Sequence, residues 1–287
     1  MSRFSPTVRH RRLLQELRRL RSNAELKQED VAEHLGWSPS RMTKVEGGSL
    51  RISVSDVRAM LQLYGVEQAT EEHDVLVQLA RQSREKGWWH TYSDVIPHWF
   101  QVYVGLEAEA LSLRNYESEL IHGLLQTEDY ARTVYRAAQV TDSPDEIERY
   151  VALRMARQEI VTKNEDPLRF WTVLNEAALR RPVGGEDVMR AQLHRLADMA
   201  SLANVTLQVL PYSAGAHAAM LGPFALLAFS DQGGDDVAYL EHATGSFYLE
   251  KPEDVRRYKS IFDHLSRSAL DPDDSLVLIN RMVHAIL

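Results

Sequence analysis

Residues 26–48 read Leu26-Lys-Gln-Glu-Asp-Val-Ala-Glu-His-Leu-Gly-Trp-Ser-Pro-Ser-Arg-Met-Thr-Lys-Val-Glu-Gly-Gly48. Val31, Ala32 and Leu35 recur at helical spacing and make a buried stripe on a helix of about Gln28 to Leu35. Gly36 ends that helix, where a left-handed backbone is wanted. Ser38 and Pro39 open the next one. The serine caps its free amides, and proline costs nothing at the first helical position because its missing N–H would be unpaired there. That second helix runs to Glu46 and stops at Gly47-Gly48, with Met42 and Val45 pinning it to the core. Ala32 is small where the two helices cross closely. Upstream, Val8 to about Ser22 carries Leu13, Leu17, Leu20 and Ala24 on one face, with arginines over much of the rest. Downstream, Ser53 to Asp56 caps a fourth helix bearing Val57, Met60, Leu61 and Tyr64, and a fifth covers about Thr70 to Lys86. The reading is an all-α bundle of five helices.

Charge separates this bundle from the remainder. The 287 residues carry a net charge of −8, yet residues 1–64 hold 12 Lys/Arg against 7 Asp/Glu, a net of +5. The rest holds 21 against 34, a net of −13. A basic head on an acidic body is the asymmetry of a chain in which one domain meets phosphate. There is no cysteine, which removes disulfides and thiolate chemistry and suits a reducing cytosol. The opening Met1-Ser-Arg-Phe-Ser-Pro lacks the apolar core of a signal peptide, and no apolar run is long enough to span a bilayer. The expectation is a cytoplasmic protein.

Beyond the bundle, Trp88, Trp89, His90, Tyr92 and Pro97 break the helical pattern and read as an aromatic connector. Helical patterns resume at 105–116 and 126–138, and Ser143-Pro-Asp-Glu146 starts another long helix. After Asn164 the texture changes. Residues 168–174 (LRFWTVL), 205–210 (VTLQVL), 224–229 (FALLAF), 237–240 and 246–249 are short β-branched or aromatic runs bounded by turns, interleaved with helices at about 187–202 and 252–269. The expected architecture is an all-α helix-turn-helix domain over 1–87, a connector over 88–104, and an α+β domain of helices and a small mixed sheet over 105–287.

The 26–48 stretch resembles the repressor/Cro (XRE, Cro/C1-type) helix-turn-helix class. The resemblance implies double-stranded DNA as the partner, with the helix from Ser38 to Glu46 in the major groove. The first turns of a recognition helix face base edges, so Ser38, Ser40, Arg41, Thr43 and Lys44 are the candidate contacts. Arginine can donate two hydrogen bonds to guanine. Gln28 opens the preceding helix, where the class clamps a phosphate. Pro39 departs from relatives that place a polar reader there. The class uses a glutamate such as Glu46 to tie the helix to a neighbouring segment. Arg41 has a plainer alternative as a surface ion-pair partner of an acid such as Glu46, and the whole bundle could be a protein-interaction module.

Residues 116–130 (YESELIHGLLQTEDY), 152–159, 175–184, 204–211 and 214–217 resemble large actinobacterial regulators of the WhiJ-like developmental type. That resemblance implies a transcriptional regulator whose second domain receives a signal or a protein partner, or alternatively an antitoxin-like protein that neutralises a small partner encoded beside it, with DNA binding as autoregulation. The small contact area of one module points to a homodimer on DNA. No HExxH, phosphate loop, nucleophile elbow or dinucleotide fingerprint is present, so no enzyme, cofactor or metal is expected, and an enzyme whose chemistry resides in residues 100–280 is the less favoured alternative. Ser83 to Lys86 matches S-x-x-K without companion motifs. Asp231 to Asp236 reads as a solvated turn. His217 with Glu241 and His242 is the one cluster that suggests an effector or partner pocket, against the plain reading of a loop histidine bonded to backbone.

Overall fold

A computed structural model describes residues 8–83, 87–138, 143–229 and 236–285. Residues 84–86 of the Ser83–Lys86 match, 231–235 of the Asp231–Asp236 turn and the first seven residues lie outside them. Ser83 is buried and donates to the Ala80 carbonyl at 2.9 Å, and Asp236, expected in a solvated turn, is buried and paired with Lys259. The chain divides into two compact units, 1–90 and 91–287.

Unit 1 is built from α1 (Val8–Asn23), α2 (Gln28–His34), α3 (Pro39–Glu46), α4 (Val54–Leu63) and α5 (Glu71–Gln82). Its core draws on every helix, with Leu13, Leu17, Val31, Met42, Met60 and Ala80 among the side chains fully removed from water. Local chemistry sets each start. The Ser38 and Ser53 hydroxyls accept the N–H of Arg41 and Asp56, and Thr70 does the same for His73. Between α2 and α3 the chain reverses through Gly36 at φ +65°. A Cβ there would meet nothing within 4 Å, so the backbone angle, not space, is what asks for glycine. The stop after α3 is shared: Gly47 stays right-handed and Gly48 takes φ +73°.

Unit 2 is α+β. Its elements are α6 (His98–Glu109), β1 (Ser112–Glu117), α7 (Glu128–Ala138), α8 (Pro144–Thr162), β2 (Arg169–Asn175), α9 (Glu176–Arg180), α10 (Glu186–Ala200), β3 (Val205–Leu210), β4 (Phe224–Ala228), β5 (Val237–His242), β6 (Gly245–Leu249), α11 (Pro252–Ser268) and α12 (Pro272–Ala285). The strands form one mixed sheet in the order β3-β2-β1-β4-β5-β6. β1 pairs parallel with β2 and antiparallel with β4, so the sheet changes sense at β1.

Two sequence expectations change here. The connector at 88–104 already contains the first two turns of α6, and the helix expected at 105–116 is the end of α6 followed by β1. The cause is burial. Tyr103, Val104, Gly105, Leu106 and Glu107 are all buried, so α6 lacks the one-sided stripe that marks a surface helix. β1 (SLRNYE) carries polar residues in a central strand, with Asn115 1% exposed.

The sheet has two dressed faces. On one, α11 packs Phe262 and Leu265 against Tyr116, Val173, Leu226 and Ala238. On the other, α6 lays Tyr103 on Tyr239 at 4.3 Å between ring centroids, and Tyr248 donates to the Trp99 carbonyl at 2.6 Å. α8 is bound to α6 by a buried pair, Arg157 to Glu107 at 2.7 and 2.8 Å.

Candidate functional site

Helix α3 sorts its side chains by face. Met42 and Val45 are in the core, and Ser40, Arg41, Thr43 and Lys44 are exposed. Eight residues give barely two turns, so the orientation of this helix depends on what holds its ends. The N-terminal end is held by the Ser38 cap. The C-terminal end is held by Glu46, only 3% exposed, whose carboxylate accepts from Arg21 Nε at 2.7 Å and Nη2 at 3.2 Å and from Gln28 Nε2 at 2.6 Å. Arg21 also donates to the Leu26 carbonyl at 2.8 Å, so one guanidinium joins α1, the turn before α2, and α3. Hydrogen bonding to Glu46 raises the Arg21 pKa. Glu46 therefore does what the resemblance implies, tying α3 to its neighbours.

The partners of Arg41 differ from the surface pairing considered for it. Its guanidinium meets Asp56 at 3.3 Å, not Glu46, and lies 4.2 Å from the Trp37 ring centroid. The side chain remains 46% exposed. Trp37, which the sequence reading passes over, thus supplies a flat platform beside the exposed face, and Asp56 holds the head group sideways. Gln28, expected at a phosphate, directs its amide nitrogen inward to Glu46, because a carboxylate so far from water recruits every donor within reach. Thr43 donates to the Pro39 carbonyl at 3.1 Å. Ser38 uses its oxygen as the helix cap at 3.2 Å. Ser40 and Lys44 form no ion pair or side-chain hydrogen bond among the described residues. The exposed face of α3 accordingly offers one ammonium, one lightly held guanidinium and two small hydroxyl side chains.

Unit 2 contains an open crevice of about 530 Å³ between the α6 side of the sheet and helices α6, α7 and α8. Glu117 at the end of β1, with Glu241 and His242 at the end of β5, lines it. His217 does not. Its Nε2 lies 3.4 Å from the Tyr116 hydroxyl, which belongs with the α11 face, and its Nδ1 accepts the Ala219 N–H at 3.3 Å. The three-residue cluster expected from sequence is thus split, with Glu241 and His242 lining the crevice and His217 taking the plainer role of a loop histidine bonded to backbone. Register explains the split: Tyr116 faces one side of the sheet and Glu117 the other, because successive strand residues alternate. Burial lowers the His217 pKa.

A family model described as a helix-turn-helix domain matches residues 12–73, and one described as a domain of unknown function, DUF5753, matches residues 100–281. No curated protein and no solved structure matches the chain. Among the described residues no helix is long and apolar enough to cross a membrane.

Proposed function

From a chain that belongs to the DUF5753 family and carries a helix-turn-helix domain ahead of it, we propose a sequence-specific transcriptional regulator that reads DNA as a homodimer. In this reading α3 enters the major groove. Arg41 leaves Asp56 for a guanine edge, exchanging one carboxylate oxygen for two acceptors in the plane of its fork. Lys44 meets phosphate, Ser38, Ser40 and Thr43 contribute short hydroxyl contacts, and Gln28 stays beside the backbone as the support of Glu46. The observation that carries the reading is the exposed Ser40, Arg41, Thr43 and Lys44 face on a short helix whose far side is anchored through Glu46.

One such module buries too little surface for tight binding, so two copies on half-sites about 34 Å apart complete the site. The acidic second unit receives the signal or a small partner protein, in the manner of the WhiJ-like regulators that its sequence resembles, and no catalysis is assigned to it.

The test is binding-site selection from random duplex DNA with the full-length protein, followed by two substitutions. Arg41→Ala is expected to cost about 1–3 kcal/mol on the selected site and to relax preference at one base pair. Lys44→Ala is expected to lower the slope of log affinity against log salt by about one unit while leaving sequence preference intact. Selection that enriches nothing, or an Arg41→Ala protein that binds its site unchanged, would remove this assignment.

A further inference from the structure

We infer that the crevice of unit 2 is a binding site for a small aromatic amine, its ring held among the side chains of α6 and β5 and its ammonium between Glu117 and Glu241. The inference rests on the reading of unit 2 as the receiving half of a regulator, and it names the chemistry of what is received.

Size and walls come first. About 530 Å³ lies within the range of small-molecule sites, which are concave, mostly apolar and furnished with a few converging polar groups. Here the apolar part is aromatic. Trp99, Phe100 and Tyr103 come from α6 and Tyr239 from β5. Phe100 stacks on Tyr103 at 5.8 Å, and Tyr103 lies on Tyr239 at 4.3 Å, so the wall is a fixed surface of ring faces and edges. Such surfaces accept a flat ring by offset or edge contact and attract a cation to their faces.

Charge then selects among flat ligands. The charged groups that face the crevice are Glu117, Glu241, Arg154 and Arg157, with His122 and His242 beside them. Arg157 is answered by Glu107 at 2.7 and 2.8 Å, so that pair adds no net charge. Burial drives His122 well below its usual pKa and leaves it neutral. Arg154 is anchored by Gln126 at 2.7 Å and lies 4.4 Å from the Tyr135 ring centroid. Apart from His242, what remains is two carboxyl groups against one guanidinium. Glu117 is the less satisfied of the two: its hydrogen bond comes from the Asn115 amide at 3.1 Å, and no cation reaches it within ion-pair distance among the described residues. Poor hydration and the nearby Glu241 charge push its pKa up to about 8. Glu117 therefore holds a proton at neutral pH, and an ammonium placed between the two groups takes the place of that proton, which is released, while the Tyr239 hydroxyl, 2.8 Å from Glu241, orients the second acceptor.

Topology agrees. The crevice opens beyond the carboxyl end of β1, the strand at which the sheet changes sense. The parallel strands β1 and β2 both end on this side, and the carboxyl ends of parallel strands are where open α/β sheets place their ligands.

The experiment uses the full-length protein and three probes of one shape: 2-phenylethylamine, 2-phenylethanol and 3-phenylpropanoate, followed by titration calorimetry and ligand-detected NMR at a pH of about 8.5, where Glu117 is ionised and the amine keeps its charge. The amine is expected to bind about tenfold or more tightly than the alcohol, the advantage of one charge-assisted contact, with the carboxylate weakest. Glu117→Gln and the rim variant Glu241→Gln, which lies at the exposed edge and leaves the core untouched, are each expected to remove most of that advantage. The inference is overturned if the alcohol or the carboxylate matches the amine, if the amine binds both variants as well as the parent, or if none of the three binds at millimolar concentration. None of these measurements involves DNA, so their failure leaves the assignment of α3 standing, and its failure leaves them readable.

Discussion

Glu46 in unit 1 and Glu117 in unit 2 are both carboxylates drawn away from bulk water, and the protein treats them in opposite ways. Glu46 receives a forked guanidinium and a side-chain amide, three donor contacts that fix α3 in place. Glu117 receives one amide, shares its surroundings with a second carboxylate, and faces an open crevice. A buried charge that is fully answered acts as a joint, and its removal damages the fold. A partly answered charge beside empty space holds unmet interaction energy that a ligand can supply. Unit 2 contains both kinds within one layer, since the Arg157–Glu107 joint lies next to the same crevice.

The contrast breaks most visibly if the joints are opened. Arg157→Ala strands Glu107, 1% exposed, without its counter-charge, and should lower the stability of unit 2 by about 3–5 kcal/mol in urea unfolding followed by aromatic near-UV signal. A loss below about 1 kcal/mol would mean that this pair is not a joint. Arg21→Ala should cost less, about 2 kcal/mol, because Arg21 is 17% exposed and Gln28 still answers Glu46. The same variant should weaken DNA binding more than it weakens the fold, since α3 loses its anchor; equal losses would argue that Arg21 serves stability alone.

The smallest effect is the most diagnostic, and it is a dependence on pH. The folded carboxyl of Glu117 keeps its proton to about 8, whereas its ordinary value is 4.5. Between those values the folded state binds more protons than the unfolded one. Stability should therefore fall as pH rises through that window and level off above it. His10 runs the other way: burial, helped by the charge of Arg51, lowers its pKa from 6.5 to about 4, so its contribution rises with pH across that lower range. The pKa values of His122 and His217 in unit 2 are lowered as well, so their contributions also rise with pH and a decline between 6.5 and 8 comes from Glu117. Thermal midpoints of the unit 2 transition should decline there in the parent and stay level in Glu117→Gln, and parallel curves would show that Glu117 is answered after all.

Unit 1 was legible because its signals are local. Serine and threonine caps, Pro39 at a helix start, and apolar residues three and four apart specify α1 to α5 within a few residues each. Unit 2 was legible where strands are apolar, as in β2 to β4, and misread where burial erased the pattern. α6 is buried around most of its circumference, and β1 is polar at Arg114, Asn115 and Glu117, so neither shows the one-sided stripe of its type. Within the candidate sites, exposure of Ser40, Arg41, Thr43 and Lys44 followed from helical spacing. The Arg41 contacts with Trp37 and Asp56 did not, because Asp56 arrives from the start of α4. Likewise His217 and Glu241 are grouped by a shared polar character in sequence and parted by the two faces of a sheet.

The amino-acid sequence alone determined where the helices of unit 1 begin and end, which face of α3 meets solvent, and that the basic residues gather at one end of an acidic chain. These depend on hydrogen bonds and periodicities that close within a turn or two of backbone. Only the tertiary structure decided which charges are answered. Arg21 finds Glu46 across 25 residues, and Glu117 finds Glu241, with Arg154 acting on it only through space, because the solvation and neighbours of a carboxylate are set by whatever distant segments the fold packs around it.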